Sequence, residues 1–355
     1  MDDRPAIGIV GLGGMGTLHA ENITDLGGRV VAGSDVVDEA RESFAVAFDA
    51  PAYESAEEMY DAEELDAVVI TTPNTFHEPA ATGALERGLH VLCEKPLADS
   101  LESAEAIADA AAESDAFCMV GFSNRFSAAA DVFTAQRERF GEITHIEANY
   151  VRRRGIPGLG SWFTNEELSG GGSLIDIGVH AIDFALYLAG FPEVEEVSGV
   201  TRANFGNDPD YVDPDDWAGN WDTSEGGFDV DDSVSAFVRC ADDTTISLEV
   251  SWAANRDDSH EVYVRGTDAG AKLDIGGEDL HVYDASSEGV EHYVDEDLDG
   301  ERELESHHGE AERFLEAVEA DEAPDINTVE EGLVVQKVID AVYRSSEEGR
   351  AVQVE

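Results

Sequence analysis

Cysteine is scarce. The chain holds only Cys93, Cys118 and Cys240, odd in number and widely spaced. That excludes a disulfide framework and a cysteine-based zinc cluster. Long apolar runs are lacking too: no stretch of about 18 consecutive apolar residues occurs, which speaks against a membrane-spanning helix and a membrane partner. The opening Met1-Asp2-Asp3-Arg4 has no basic-then-apolar layout of a signal peptide, so a cytoplasmic protein is expected. Positive charge is the most depleted property. Lys and Arg total 21 against 79 Asp and Glu, for a formal net charge of −58, and the lysines are Lys95, Lys272 and Lys337 alone. So negative a field repels phosphates and excludes nucleic acid as a main partner.

Apolar residues make up 42% of the chain, too many for a disordered acidic polymer. The length of 355 residues suits two domains, each able to bury a core. Acidic residues run from Asp2 to Glu355 rather than forming one tail. At low ionic strength such a surface repels itself, whereas at about 1 M salt the Debye length falls to roughly 3 Å and the repulsion is screened. The composition resembles that of a protein from an extreme halophile's salt-filled cytoplasm. A merely acidic mesophilic protein is the alternative, against which the lysine depletion weighs.

The first 120 or so residues alternate short apolar runs with helical patterns. Strands are expected at 6–10, 29–33, 67–70, 90–93 and 117–120, with helices near 17–26, 38–48, 78–87 and 101–113. That alternation predicts an α/β fold with a doubly wound parallel sheet. After Gly121 the pattern changes to strands joined without regular helices, at 143–152, 194–202, 232–239, 244–252, 261–266, 271–275 and 280–284. A second, α+β domain with a largely antiparallel sheet is expected there, interrupted by a helix at 173–188 and closed by helices at 307–320 and 328–346. The boundaries read as 1–122 for the parallel-sheet domain and 123–355 for the second domain, the last helices being free to return to the first. Residues 204–229 read as a long excursion, more readily a solvated loop than a lid.

Gly11-Leu12-Gly13-Gly14-Met15-Gly16 follows the strand 6–10 and opens a helix. In that setting Gly11 permits the tight turn, Gly13 lets backbone approach a pyrophosphate, and Gly16 allows close helix–strand packing. Asp35, nineteen residues beyond Gly16 at the end of the next strand, is placed to accept from ribose hydroxyls and to repel a 2′-phosphate. NAD is therefore favoured as the cofactor, with NADP open. Glu94-Lys95-Pro96 ends the strand 90–93, at the edge where doubly wound sheets bind ligands. A lysine kept there, in a chain that has nearly lost lysine, reads as an ammonium that stabilises a developing alkoxide, with Glu94 holding it.

Residues 170–183 follow three glycines into an apolar helix. Asp176, His180 and Asp183 fall at i, i+4 and i+7, so one polar stripe is expected on an otherwise buried helix. Either His180 is a satisfied core histidine between two carboxylates, or it is a general base whose tautomer a carboxylate sets. No third ligand is signalled nearby, so no metal is expected. Arg152-Arg153-Arg154 either grips an anionic substrate group or, preferably, pairs with carboxylates. Trp162 either covers a sugar face or packs in the core.

These motifs together make the chain resemble the Gfo/Idh/MocA oxidoreductases, which act mostly on sugars and inositols. The resemblance rests on the glycine loop at 11–16, Thr72-Pro73-Asn74 with His77, Glu94-Lys95-Pro96, Asn124-Arg125-Phe126, Asp176 with His180, and the ending Ile339-Asp340-Ala341-Val342-Tyr343 before Gly349. It implies an N-terminal Rossmann domain and a C-terminal open sheet that makes a homo-oligomer, a dimer or tetramer. It implies that Lys95, Asp176 and His180 serve catalysis beside the nicotinamide, that Thr72, Pro73, Asn74 and His77 line the cofactor cleft, and that Asn124 and Arg125 orient cofactor or substrate or else contact at a hinge. The expected activity is NAD(P)-dependent hydride transfer with a sugar, polyol or inositol-like substrate. Two alternatives stay open: a glycoside hydrolase using NAD for transient oxidation, and a dinucleotide-sensing regulator without catalysis.

Overall fold

Strand β1 (Ala6–Val10) is buried at every position, as a central strand covered on both faces must be. It is followed by α1 (Gly14–Asp25), β2 (Arg29–Ser34), α2 (Asp38–Phe48), the two-residue β3 (Ala52–Tyr53), α3 (Ala56–Ala62), β4 (Ala67–Ile70), α4 (His77–Leu85), β5 (His90–Glu94), α5 (Leu101–Glu113) and β6 (Cys118–Gly121). The computed structural model describes residues 4–214, 227–300 and 306–354. It divides into two units, Met1–Ser123 with Leu304–Gln336, and Asn124–Glu303 with Lys337–Glu355.

In the first unit the six strands form one parallel sheet in the order β3-β2-β1-β4-β5-β6. The chain leaves β1 toward β2 and later returns to pair β4 on the other side of β1. That reversal opens a crevice at the carboxyl ends of β1 and β4, where ligands of such sheets bind.

The second unit begins with α6 (Ala128–Ala135), β7 (Ile143–Val151), the short α7 (Glu166–Ser169), a π-helical turn at Leu174–Gly178, and α8 (Val179–Ala189). Strands β8 (Val194–Arg202), β9 (Ser233–Cys240), β10 (Thr245–Ser251), β11 (Glu261–Gly266), β12 (Gly270–Asp274) and β13 (Asp279–Tyr283) follow. Then come the small hairpin β14 (Ala285–Ser286) and β15 (His292–Tyr293), and β16 (Glu296–Asp299). Helices α9 (Ser306–Ala320) and α10 (Val329–Glu348) and strand β17 (Val352–Gln353) close the chain, α9 and the start of α10 belonging to the first unit.

The large sheet runs β16-β13-β12-β11-β7-β10-β9-β8-β17 and is antiparallel except where β10 pairs β7. One face is covered by α8, whose neighbours are β7 and β10. Ile146, Ala148, Ile246, Leu248 and Val250 point into that core. The segment Glu166–Ala189 is long and apolar enough to cross a bilayer by length and composition, but 78% of its most apolar window is buried within the protein, so its apolarity is used by the core. Of the expected excursion at 204–229, residues 215–226 lie outside the described residues.

Candidate functional site

In the first unit the glycine loop is tied down at its start, through both backbone groups of Gly11. Gly11 donates to Ser34 O at 2.8 Å, and Thr71 Oγ1 donates to Gly11 O at 2.7 Å. Gly11 lies at φ +91, and a Cβ there would stand 2.9 Å from the Thr71 and Thr72 backbone. A Cβ on Gly16 would stand 2.0 Å from Gly11 O, so α1 approaches the loop at a distance only glycine allows. At Gly13 and Gly14 the opposite holds, since a Cβ would meet nothing within 4 Å.

The start of α1 has no side-chain cap and no acidic residue in its first turn. Its amide groups and positive dipole end are therefore available to an anion. Asp35 accepts from Leu12 N through Oδ2 and from Val37 N through Oδ1, both at 2.8 Å. The carboxylate is thus fixed beside the loop, and each oxygen retains a second lone pair. The Thr72 hydroxyl at the end of β4 is buried and has no hydrogen-bond partner among the described residues. An open glycine cradle, an uncapped helix start, a fixed carboxylate and a waiting hydroxyl fit a dinucleotide. Met15 is exposed, whereas the Leu12 side chain is buried.

His77 differs from its expected part. It is 1% exposed, and its ring nitrogens face Pro96 O and Thr72 O, each at 2.9 Å. It ties two loops through their backbones, and both nitrogens are spent on that. Pro96 follows a cis peptide bond. Glu94, also buried, receives His19 Nε2 at 2.7 Å and the Lys95 N–H at 3.1 Å. Burial alone would raise its pKa, but the His19 hydrogen bond and charge, with Lys95 and His307, outweigh it and hold the carboxyl at about 2. Glu310 of α9 lies in the same buried cluster as His19 and Glu94.

In the second unit, solvent reaches only Asp176 and His180 between Gly171 and Leu186; every other residue there is buried. The π turn carries Asp176, and α8 carries His180 in its first turn. Such turns recur at functional sites. Asp176 Oδ2 accepts from the indole N–H of Trp252 at 2.9 Å, and Trp252 is fully buried. The Asn124 side-chain amide lies 3.1 Å from His180 Nδ1. The nitrogen of that amide faces Nδ1 and donates to it, which keeps the ring proton on Nε2; with the amide turned over, its carbonyl oxygen accepts from Nδ1–H and Nε2 is the basic nitrogen. Asn124 therefore acts on the histidine ring.

Asp183 does not share the open face with Asp176 and His180. It is 1% exposed, and both of its oxygens receive Arg125, itself 1% exposed, with Nε at 3.1 and 3.2 Å. The Arg125 guanidinium also lies 5.1 Å from the Tyr187 ring and 4.8 Å from the Phe191 ring. This fully enclosed ion pair is a core feature, and neither residue is free to meet a substrate. Arg154 is corrected likewise. It donates to Val212 O, Ala254 O, Arg153 O and Asn255 Oδ1, and its guanidinium lies 5.5 and 5.7 Å from the Phe205 and Tyr211 rings. It anchors the start of the excursion. Trp162 stacks on Phe163 at 3.8 Å.

Several residues around the site were not anticipated. Asp231 holds the entry to the catalytic helix, accepting from Gly172 N (2.9 Å), Ser173 Oγ (2.6 Å), Leu174 N (3.0 Å) and the Tyr343 hydroxyl (2.8 Å). Burial first, then the Asp231 charge, push the Tyr343 hydroxyl pKa well up. Tyr150 has its ring 6.2 Å from that of His180 and 4.5 Å from that of His260. His19 carries a faint signal, a histidine three residues past Gly16; the others are far from their partners in sequence.

Residues 6–122 match the model of an oxidoreductase family with an NAD-binding Rossmann fold, GFO_IDH_MocA, and residues 133–272 match the GFO/IDH/MocA C-terminal domain. The chain is 33% identical over 310 residues to a D-glucoside 3-dehydrogenase of Escherichia coli (strain K12), covering 86% of this chain and 84% of that one. It is 28% identical over 357 residues to D-xylose 1-dehydrogenase (NADP(+)) 2 of Haloferax volcanii, covering 98% and 99%. Among solved structures, a levoglucosan dehydrogenase in complex with NADH has the same fold, with a TM-score of 0.86 at 23% identity over 99% of each chain. By sequence and by both of its domains, this chain belongs to the GFO/IDH/MocA oxidoreductase family.

Proposed function

We propose that the protein is an NAD(P)-dependent dehydrogenase or reductase acting on a CH–OH group of a sugar, polyol or inositol-like substrate, with NAD preferred. The observation that carries this reading is the pair Asp176 and His180, the two openings in an otherwise buried helical stretch of a family oxidoreductase. Bound NAD supplies the hydride acceptor at its nicotinamide. The chain's own residues manage the oxygen and its proton. His180 Nε2 takes the hydroxyl proton in the oxidative direction and returns it in the reductive one. Nε2 serves as the base once the Asn124 amide turns its carbonyl oxygen to accept from Nδ1–H, and the Asp176 carboxylate, held by Trp252, favours the imidazolium that forms. Lys95 donates to the oxygen as negative charge develops on it, and Glu94 fixes the Lys95 backbone.

Support for NAD over NADP comes from the fixed Asp35 carboxylate, which would repel a 2′-phosphate. The charge of −58 supports a salt-rich cytoplasm as the working medium. Val200 and Phe237, exposed on the sheet face away from α8, support a homo-oligomer.

The test is a screen of sugars, inositols and sugar acids with NAD and NADP in molar KCl, repeated with His180→Ala and Lys95→Ala. Each substitution is expected to lower kcat by about 10²- to 10⁴-fold, with NAD binding retained by calorimetry. A screen that finds no substrate, or a His180→Ala enzyme with near wild-type kcat, overturns the reading.

A further inference from the structure

Three neighbouring strands of the large sheet end beside His180, and their registers set Tyr150, Arg152 and His260, which the mechanism above does not use, in one row with Trp252. β10 runs parallel to β7 with Val250 beside Tyr150, which brings Trp252 alongside Arg152. β11 runs antiparallel to β7 with Val262 opposite Ala148, and the bridge between Val151 and Ser259 continues that register. His260 therefore stands opposite Tyr150, and Asp258 opposite Arg152. Side chains two residues apart on a strand share a face, and Ala148 of this row lies in the core that α8 covers. Tyr150 and Arg152 extend the same face beyond that core, toward His180.

The contacts agree. The Tyr150 ring lies between those of His180 and His260, and the Arg152 guanidinium lies 5.6 Å from the Tyr150 ring centre. Partial burial and then the Arg152 charge lower the His260 pKa, against Asp258 and Asp274, so the arginine's field reaches His260. Of three consecutive arginines, Arg154 is spent on backbone carbonyls and two aromatic rings, and the Arg153 side chain is exposed. Arg152 is half-buried in the row next to His180.

We propose that Arg152, with Tyr150 and His260 beside it, forms a subsite for a carboxylate or phosphate carried by the sugar, so that the preferred substrate is anionic. The inference rests on the dehydrogenase reading above. A guanidinium presents a planar fork of donors that matches carboxylate and phosphate oxygens in pairs. A neutral sugar has no use for a positive charge in a protein with 21 basic residues in all. His260 adds a donor on the far side of Tyr150, and the Tyr150 ring offers a face to the sugar. Asp258 opposes the anion from the strand opposite, but one of its oxygens is engaged by the Arg153 N–H.

The experiment compares kcat/KM for D-glucose, D-glucuronate and D-glucose 6-phosphate at one KCl concentration, in wild type, Arg152→Met and Arg152→Lys. The quantity read is the ratio of each anionic sugar to glucose. Wild type is expected to favour at least one anion, and Arg152→Met to lower that ratio by about 10- to 100-fold, the range of a lost charge-assisted pair. Arg152→Lys, which keeps the charge without the fork, should fall between. Which of the two anions responds separates carboxylate from phosphate. A wild type that prefers glucose, or an Arg152→Met enzyme that loses activity on all three sugars in proportion, overturns the subsite and leaves the dehydrogenase reading standing. If Arg152→Met does not fold, the ratio in Arg152→Lys decides by the same criterion. Turnover of none of a broad panel of sugars overturns both.

Discussion

Glu94 shows how a single buried charge is kept ionised. Enclosure raises a carboxyl's pKa, yet His19 at 2.7 Å, the neighbouring Lys95 and His307 reverse the sign and leave it at about 2, below its ordinary 4.5. A folded-state pKa depressed in this way stabilises the fold fully above the unfolded value of about 4.5, and that contribution drains away as pH falls toward 2. Glu94→Gln removes the titrating group. The thermal midpoints of wild type and Glu94→Gln, measured in 2 M KCl, should therefore differ at pH 5, with wild type higher. The gap should close as pH drops from about 4.5 to 3. A gap that stays unchanged to pH 3 would show that the His19–Glu94 pair carries no such energy.

The same pairing logic extends to whole elements, and there the helix bearing Asp176 and His180 is the instructive case. Its apolar run interrupted by acid and imidazole was readable from sequence, because a polar position in a buried stretch stands out locally. Its π turn and the enclosure of Asp183 were not. Both arise from partners far along the chain: Asp231, 58 residues beyond Ser173, and Arg125, 58 residues before Asp183. Alternating apolar patterns likewise placed β7 to β13 to within a residue or two, while acidic β16 (Glu296–Asp299) carries no apolar alternation and was missed. The row Trp252, Tyr150 and His260 was invisible for a related reason, since strand register decides it. Asp231 is the element-scale residue to test. Its carboxylate binds three groups at the helix entry, and a Cβ on Gly172 would stand 1.9 Å from its backbone oxygen. Hydrogen bonds to a buried charge contribute about 1.5–3 kcal/mol each and do not add fully, so Asp231→Ala should cost about 3–5 kcal/mol of stability. Asp231→Asn, which keeps one acceptor oxygen, should cost less. In the Asn variant kcat should fall more than KM changes, because the helix presents His180 less firmly. A proportional change in both, or none, would assign Asp231 to stability alone.

At the scale of the whole molecule, charge outweighs any single contact. With −58 formal charges, the described ion pairs, such as Arg313–Asp325 at 2.6 Å and Arg344–Asp340 at 2.6 Å, are few and mostly exposed. Exposed pairs contribute about 0–1 kcal/mol each and weaken in salt. The opposing quantity is the mutual repulsion of the surplus carboxylates, which acts over roughly 10 Å at 0.1 M salt and roughly 3 Å at 1 M. Folding brings these charges closer together than the expanded chain holds them, so screening relieves the folded state more. Loss of the pairs and relief of the repulsion have opposite signs, and the surplus of 79 acidic over 21 basic residues decides which is larger. The thermal midpoint should therefore rise steeply between about 0.1 and 1 M KCl and flatten beyond, where screening is nearly complete. Melting curves across that range check it. A midpoint that is flat or falls over the first molar would mean that the carboxylates are spaced too widely to repel, and that the acidic surface is not an adaptation to salt. A midpoint that keeps climbing well past 1 M would point instead to salt strengthening apolar burial, a general effect of excluded ions that acts on proteins of any charge.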